Sequence, residues 1–277
     1  MLRQFAIDFL RLSLWLLILV TVFIPLERIF PLRRQDVFRK RFAADLVYYF
    51  LSSMLPKAIL VFPMALAAYA AHRLVPVAIR IRVGDLPPGI RFAAALAVAE
   101  VGYYWGHRWS HEIPLLWRFH AVHHSAEEMD WLVNTRAHPV DMVFTRLCGL
   151  LPIYVLGLSQ PARGSLDYIS LLVMLTSTLW GFFIHSNLRW SLGPLEWLVA
   201  GPAFHHWHHS YEEPRNRNFS PTLPLVDRLF GTYFSPEGKW PAKYGTDAVV
   251  AHDFGGQLMQ PFAPPFQGAP GAPEAEA

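Results

Sequence analysis

The stretch Glu100-Val-Gly-Tyr-Tyr-Trp-Gly-His107-Arg-Trp-Ser-His111-Glu-Ile-Pro114-Leu-Leu-Trp-Arg-Phe-His120-Ala-Val-His123-His124 decides how this chain folds. It is the end of an apolar run, with His107 and His111 one helical turn apart where that run stops. Pro114 predicts a helix end at Ile113, because a residue before proline avoids the helical conformation. A second helix from near Leu115 then carries His120, His123 and His124, and the i, i+3, i+4 spacing predicts three imidazoles on a single face. The same spacing returns as His205, His208 and His209. His206, about 100° round the helix from His205, is expected to be peripheral.

Working outward, eleven of the thirteen histidines lie between His107 and His209, including single residues at His138 and His185. Imidazole is the commonest protein ligand for transition metals and suits iron, zinc, copper and nickel. Three clusters offer more nitrogens than one tetrahedral metal can use, so the expectation is a site for two metals, walled by helices. Burying this many imidazoles without a metal would leave many polar atoms unpaired. The expected ligands are His107, His111, His120, His123, His124, His185, His205, His208 and His209, with His138 either a tenth or a hydrogen-bond partner of one. His72 and His252 have no histidine neighbours and read as ordinary hydrogen-bonded residues. Glu100, nearly two turns before His107, is either a partner or proton carrier for the site or a structural partner of a histidine or arginine elsewhere.

The 277 residues are 53% hydrophobic and only 16% charged, with a mean hydropathy of +0.25. Soluble domains carry about 25% charged residues, so this composition favours a membrane protein. The net charge of +3 comes without a long basic stripe, which argues against a nucleic-acid partner. A single cysteine, Cys148, excludes an internal disulfide and any Cys-x-x-Cys metal site, and its apolar neighbours predict a buried, inert thiol.

Five apolar stretches stand out: about Phe9 to Leu26, Leu46 to Ala71, Phe92 to Gly106, Met142 to Leu158 and Tyr168 to Ile184. The first lacks a cleavage pattern and reads as a retained membrane helix. The second, with Pro56 and Pro63, is either one kinked span or two half-helices. The last two, joined by Gly157-Leu-Ser-Gln-Pro-Ala-Arg-Gly164, read as a helical hairpin, with Arg146 an isolated cation inside its first arm. The expected fold is therefore an all-α integral membrane bundle of four or five spans, capped by a histidine-rich di-metal helical domain. Arg28, Arg33, Arg34, Arg39, Lys40 and Arg41 follow the first span, which by the positive-inside tendency puts that loop, and with it the histidines, on the cytoplasmic side. Residues 1–91 are expected to form the N-terminal spans and basic loops, and 92–235 the catalytic domain with a membrane hairpin at about 142–184. Residues 236–277 form a C-terminal segment, disordered from about 261. A short ordered piece from Leu225 to Phe234 is expected to pack under the site.

The motifs His107-Arg-Trp-Ser-His111, Leu116-Trp-Arg-Phe-His120-Ala-Val-His123-His124-Ser125 and Phe204-His205-His206-Trp-His208-His209-Ser210 resemble the fatty acid hydroxylase/sterol desaturase superfamily of membrane di-iron enzymes. Arg136-Ala-His138-Pro139, His185-Ser-Asn187 and Asp227-Arg-Leu-Phe-Gly231-Thr232 resemble landmarks of the same family. The chain departs from it at Asn218-Phe219-Ser220, where members often have Asn-Tyr-Gly, and at Gly181, where fatty acid 2-hydroxylases carry a histidine. The resemblance implies two iron ions, O₂ as co-substrate, and hydroxylation of an unactivated C–H bond of a lipid (sterol, fatty acyl or related), or its desaturation. It implies that Glu100, Asp130, Asp141 and Asn187 orient the imidazoles. No flavin, NAD or haem motif is present, so electrons would come from a separate donor of ferredoxin, cytochrome b5 or reductase type. Trp105, Trp109, Trp117, Trp131 and Trp207 would line a lipid entrance or form an interfacial belt. Two competitors from other classes are a non-catalytic membrane metal-binding protein and a zinc-dependent membrane hydrolase. The hydrolase's His-Glu-x-x-His signature is broken here by Arg108.

Overall fold

A computed structural model describes residues 2–159 and 168–263, with the side chains of residues 56 and 57 outside the description. Among the described residues, ten α-helices and three short 3-10 turns make up the regular structure and there is no strand. The helices are α1 (Leu2–Ile29), α2 (Phe42–Leu74), α3 (Val77–Gly84), α4 (Pro88–Glu112) and α5 (Pro114–His124), followed by α6 (Pro139–Val155), α7 (Ile169–His185), α8 (Pro202–His208), α9 (Pro224–Leu229) and α10 (Phe254–Met259).

Two of these, α1 and α2, are long and apolar enough to cross a membrane, and α7 is a shorter apolar helix. Both long helices turn large apolar side chains outward, among them Leu10, Leu14 and Leu17 on α1 and Val61, Phe62 and Leu66 on α2. So much contiguous apolar surface is stable against hydrocarbon rather than water. The second apolar stretch is one continuous 33-residue helix rather than two half-helices. The fourth and fifth stretches fall on α6 and α7, which both pack against α4, and most of their linker, from residue 160, lies outside the described residues. Gly157 ends α6 in the left-handed conformation at φ 73°, and Leu158 N–H returns to Ile153 O (3.0 Å), a glycine stop that side-chain-bearing residues resist.

The bundle's most extensive contact runs between α4 and α6. Gly102 and Gly106 make it possible: a Cβ on Gly102 would lie 2.1 Å from the Cys148 carbonyl oxygen, and one on Gly106 2.8 Å from the Cys148 Cβ. Small residues on one helix face let backbones approach closely, which in a membrane bundle replaces the hydrophobic drive. Cys148 is half-buried in that seam. Ala95, Ala99, Ile153, Ile169 and Val173 fill the core between α4, α6 and α7.

Pro114 opens α5 at its first position, two residues after α4 stops at Glu112, so the break falls where proline predicts it. The ordered piece after the last histidine cluster is α9 with the loop that follows it. The C-terminal segment keeps structure as far as the turn Gln260–Phe262, in which Pro261 is buried; the rest of the expected disordered tail, from 264, lies outside the described residues.

Candidate metal centre

Nine imidazoles converge from α4, α5, α7 and α8 and separate into two groups. His107, His111, His120, His124 and His208 form one, and His123, His185, His205 and His209 the other, with the ligating atoms of each group within 4.8 Å of one another. His107 and His111, like His120 and His124, are spaced i, i+4 and serve the same group. The three rings of α5 stay together, with centroids 4.9–5.5 Å apart, yet they do not serve one group. Neighbours on a helix diverge by about 100°, so His123 and His124 turn to different groups, as do His208 and His209. The groups touch where His124 stacks on His209, ring centroids 4.5 Å apart.

Hydrogen bonds on one nitrogen define the chemistry of the other. Nδ1 of His107 donates to Phe219 O (2.7 Å), that of His123 to Arg136 O (2.9 Å), that of His185 to Gly181 O (2.7 Å) and that of His208 to Arg217 O (2.8 Å). A carbonyl only accepts, so Nδ1 carries the proton and Nε2 of a neutral imidazole presents a lone pair. These lone pairs face one another: His185 Nε2 lies 3.2 Å from His123 Nε2 and 3.0 Å from His205 Nε2, and His107 Nε2 lies 3.1 Å from His120 Nε2. Nε2 of His111, His124 and His208 is buried with no partner among the described residues. Converging lone pairs repel unless a cation lies between them. Protonation is opposed as well: burial, then the neighbouring imidazoles, hold His111, His124, His205, His208 and His209 well below the ordinary histidine value, and His123 is pushed down to about 3. Imidazoles at about 2.0–2.1 Å from a metal place neighbouring nitrogens roughly 2.9–3.4 Å apart, which the observed spacings match. The donor set therefore fits two metal ions.

Of the carboxylates and amides expected to orient imidazoles, only Asp141 does. Its Oδ2 accepts from His120 Nδ1 at 3.0 Å, and Ser110 Oγ donates to its Oδ1 at 3.2 Å. Burial works to raise the Asp141 carboxyl, but the adjacent His120 and its neighbours outweigh it and the net shift is downward. Glu100 instead accepts from the backbone N–H groups of Thr222 and Leu223 (2.9 and 3.0 Å), so its partner is the loop before α9 and not a histidine or arginine. Asp130 grips the Arg39 guanidinium (2.7 and 2.6 Å) and caps the turn Trp131–Thr135. Asn187 pairs with the backbone of Arg33. All three carry polar groups that would otherwise be stranded elsewhere in the shell, which explains their burial without a metal role.

His138 is not brought to either group. Its Nδ1 accepts from Val140 N–H as the cap of α6, and its Nε2 lies 3.1 Å from Leu258 O, so both nitrogens are engaged. At position 181 a Cβ would come 2.4 Å from Asn134 Oδ1, so a histidine there would require the Asn134 side chain to move. His206 is peripheral as expected, bonded to Tyr244 and Ser186 O, and His72 and His252 each face an arginine.

Residues to which the sequence reading gave no supporting role hold the site in place. Asp45 accepts two bonds from Arg136 (2.6 and 2.8 Å) and lies 2.8 Å from Arg39, and the Arg136 carbonyl positions His123. Asp227 accepts from Phe219 and Ser220 N–H, both at 2.8 Å, and so fixes the carbonyl that orients His107. Asp45, a carboxylate at the mouth of an apolar stretch, was the legible signal for the first. Arg39 is spent in this buried ion pair, so the basic loop after α1 carries less free charge than its composition implies.

A cavity of about 210 Å³ reaches the imidazoles from between α4, α6 and α7; His107, His120, His123, His185 and His205 form one end of it. The expected tryptophans are not among its walls: Trp117, Trp131 and Trp207 are buried elsewhere, and Trp105 and Trp109 line an outer α4–α6 groove. A larger recess of about 720 Å³ beside Glu27 and Arg34 holds none of the nine histidines.

Comparison with known proteins gives a consistent result. Residues 92–232 match the fatty acid hydroxylase family. The chain is 35% identical to the ornithine lipid hydroxylase OlsE of Rhizobium tropici over 179 residues, covering 64% of this chain and 52% of that protein. It is 35% identical to an alkylglycerol monooxygenase of Danio rerio over 140 residues (50% of this chain, 29% of the relative) and 29% identical to methylsterol monooxygenase 2-2 of Arabidopsis thaliana over 138 residues (49% of each). The chain thus spans about half the length of the first of these relatives and less than a third of the second. No solved structure matches it.

Proposed function

The chain belongs to the fatty acid hydroxylase family, and from that premise we propose that it is a di-iron, O₂-dependent membrane monooxygenase that hydroxylates an unactivated C–H bond of a lipid. The observation that carries this reading is the division of nine imidazoles into two groups whose lone pairs face inward. His107, His111, His120, His124 and His208 would hold one iron, and His123, His185, His205 and His209 the other. When bound, such a pair supplies the two-electron activation of O₂ and the hydrogen abstraction, with one oxygen atom leaving as water and the other entering the C–H bond.

The chain's own residues contribute placement and exclusion of water. Phe219 O, Arg136 O, Gly181 O and Arg217 O hold four rings in the tautomer that ligates, and Asp141 does the same for His120. The cavity between α4, α6 and α7 admits a short stretch of substrate and keeps it close to the imidazoles. Its position among helices with apolar outer faces favours entry from a bilayer, and the similar proteins are named for ornithine lipid, alkylglycerol and methylsterol. The proposed arrangement is multi-pass, with the histidines at the cytoplasmic end and electrons delivered there by a separate donor protein.

Metal analysis of detergent-purified protein tests this. Two irons per chain, one for each histidine group, lowered in a His123→Ala variant, together with ¹⁸O from ¹⁸O₂ in a lipid alcohol, is the expected result. One tightly held zinc with no iron uptake on reconstitution would overturn it in favour of hydrolysis. An alkene product without incorporated oxygen would turn the reading to desaturation.

A further inference from the structure

The cavity at the metal centre has a second, polar end that ligation does not use. Arg146, the lone cation of α6, lines it beside Thr145, and Ser177 lines it from α7. Among the described residues no carboxylate, carbonyl or hydroxyl is in hydrogen-bond or ion-pair contact with its guanidinium, and Tyr103 is its titratable neighbour. Ser177 Oγ is buried with no partner. A guanidinium keeps its charge at any accessible pH, and an unpaired one among apolar helices is costly. Two buried arginines, Arg39 and Arg136, are each matched by aspartates at 2.6–2.8 Å, and a third, Arg91, donates to the Gly84 carbonyl (3.3 Å). At Arg146 the counter-charge is left to whatever enters.

We propose that Arg146, assisted by Ser177, binds the acidic group of an amphiphilic substrate, a carboxylate or phosphate, and so sets which carbon meets the metals. This deepens the lipid-oxygenase reading of the same cavity and rests on it. Arg146 lies five residues along α6 from Asp141, and Ser177 eight along α7 from His185, so about 7–12 Å of helix separates the anion end from the imidazole end. The forked guanidinium suits bidentate recognition of either acid. In a cavity of about 210 Å³ the oxidised carbon then lies within the first several bonds of the acidic group, and a whole diacyl lipid does not fit inside. Arg146 is a specificity-determining residue here and touches no metal ligand.

The test titrates decanoate, decyl phosphate and decanol into metal-loaded protein in a neutral detergent, with metal content measured on the same samples. Wild type should bind at least one of the two anions about tenfold more tightly than decanol. Arg146→Gln should reduce that anion to the level of the alcohol, and Arg146→Lys should retain part of the preference. Preference for decanoate alone identifies a carboxylate substrate, and preference for decyl phosphate alone a phosphate headgroup. Equal binding of all three by wild type, or a preference that survives Arg146→Gln, overturns the proposal. The wild-type comparison needs no variant, so a poorly folding Arg146→Gln does not blunt it. Loss of the oxygenase reading would show separately, as absent iron. Equal hydroxylation of an acidic lipid by wild type and Arg146→Gln would remove this inference and leave that reading standing.

Discussion

The aspartate–arginine cluster of Asp45, Arg136, Arg39 and Asp130 and the cluster of nine histidines are both buried, and they meet at one residue. The Arg136 guanidinium belongs to the first and its carbonyl orients His123 in the second. In the first cluster opposite charges meet at 2.6–2.8 Å, and it is complete without a ligand. In the second, lone pairs face lone pairs and three Nε2 atoms have no partner among the described residues, so it is incomplete until cations enter. Burial costs free energy in both. The difference teaches how to tell structural polar burial from a site: one satisfies itself, and the other is held open by an outer ring of hydrogen bonds.

The contrast is broken most severely from the histidine side. His185→Ala leaves three imidazoles in its group, and the expected outcome is loss of one metal per chain and of essentially all turnover, read by metal analysis and product formation. Retention of both metals would mean the grouping is wrong. Next, Asp45→Ala strands the Arg136 guanidinium in the interior and takes from Arg39 one of its two carboxylates, leaving it Asp130. Breaking a buried pair in this way costs about 3–5 kcal/mol. The denaturation midpoint in detergent should fall accordingly, and an unchanged midpoint would show that this cluster is not structural.

Asp141→Asn sharpens the boundary between the clusters. It weakens the bond to His120 without removing an imidazole, so metal affinity should drop by about 10–100-fold while thermal stability of the stripped protein changes little. Competition with a chelator reads the effect.

pH separates the metal-free from the loaded protein. His123 and His206 are held at about 3 in the fold, by burial first, against an ordinary value of 6.5. Between those values the unfolded chain binds more protons than the folded one, so stability rises with pH across this window. Stripped protein should therefore lose stability steadily as pH falls below about 6.5. Metal-loaded protein should resist until protons displace the metal. Coincident stability curves for the two forms would contradict the cation-bridged lone pairs. The smallest effect belongs to His138→Ala, which removes a helix cap worth about 1 kcal/mol and should leave metal content untouched.

Much of this site was legible before any coordinates. Helical spacing alone pairs His107 with His111 and His120 with His124, and Pro114 places the break between their helices. The apolar stretches around α6 and α7 bring His185 to the same end as the other clusters. The losses came wherever contact between distant segments decided the outcome. His138 sits in a motif among histidines, yet a cap and the Leu258 carbonyl claim its two nitrogens. Asp130 and Glu100 look like orienting carboxylates by type, but Arg39 and the Thr222–Leu223 backbone reach them first.

By itself the sequence determined the helical class, the apolar surface of the long helices and a count of imidazoles too large for one metal, because periodicity and composition are local properties. Only the tertiary structure decided which imidazole joins which group, splitting His123 from His124 and His208 from His209. It also assigned the Nδ1 partners, and among the described residues it left Arg146 without a counter-charge beside the site. Those outcomes depend on carbonyls and carboxylates many residues away, and hydrogen-bond geometry of that kind is fixed by packing rather than by spacing along the chain.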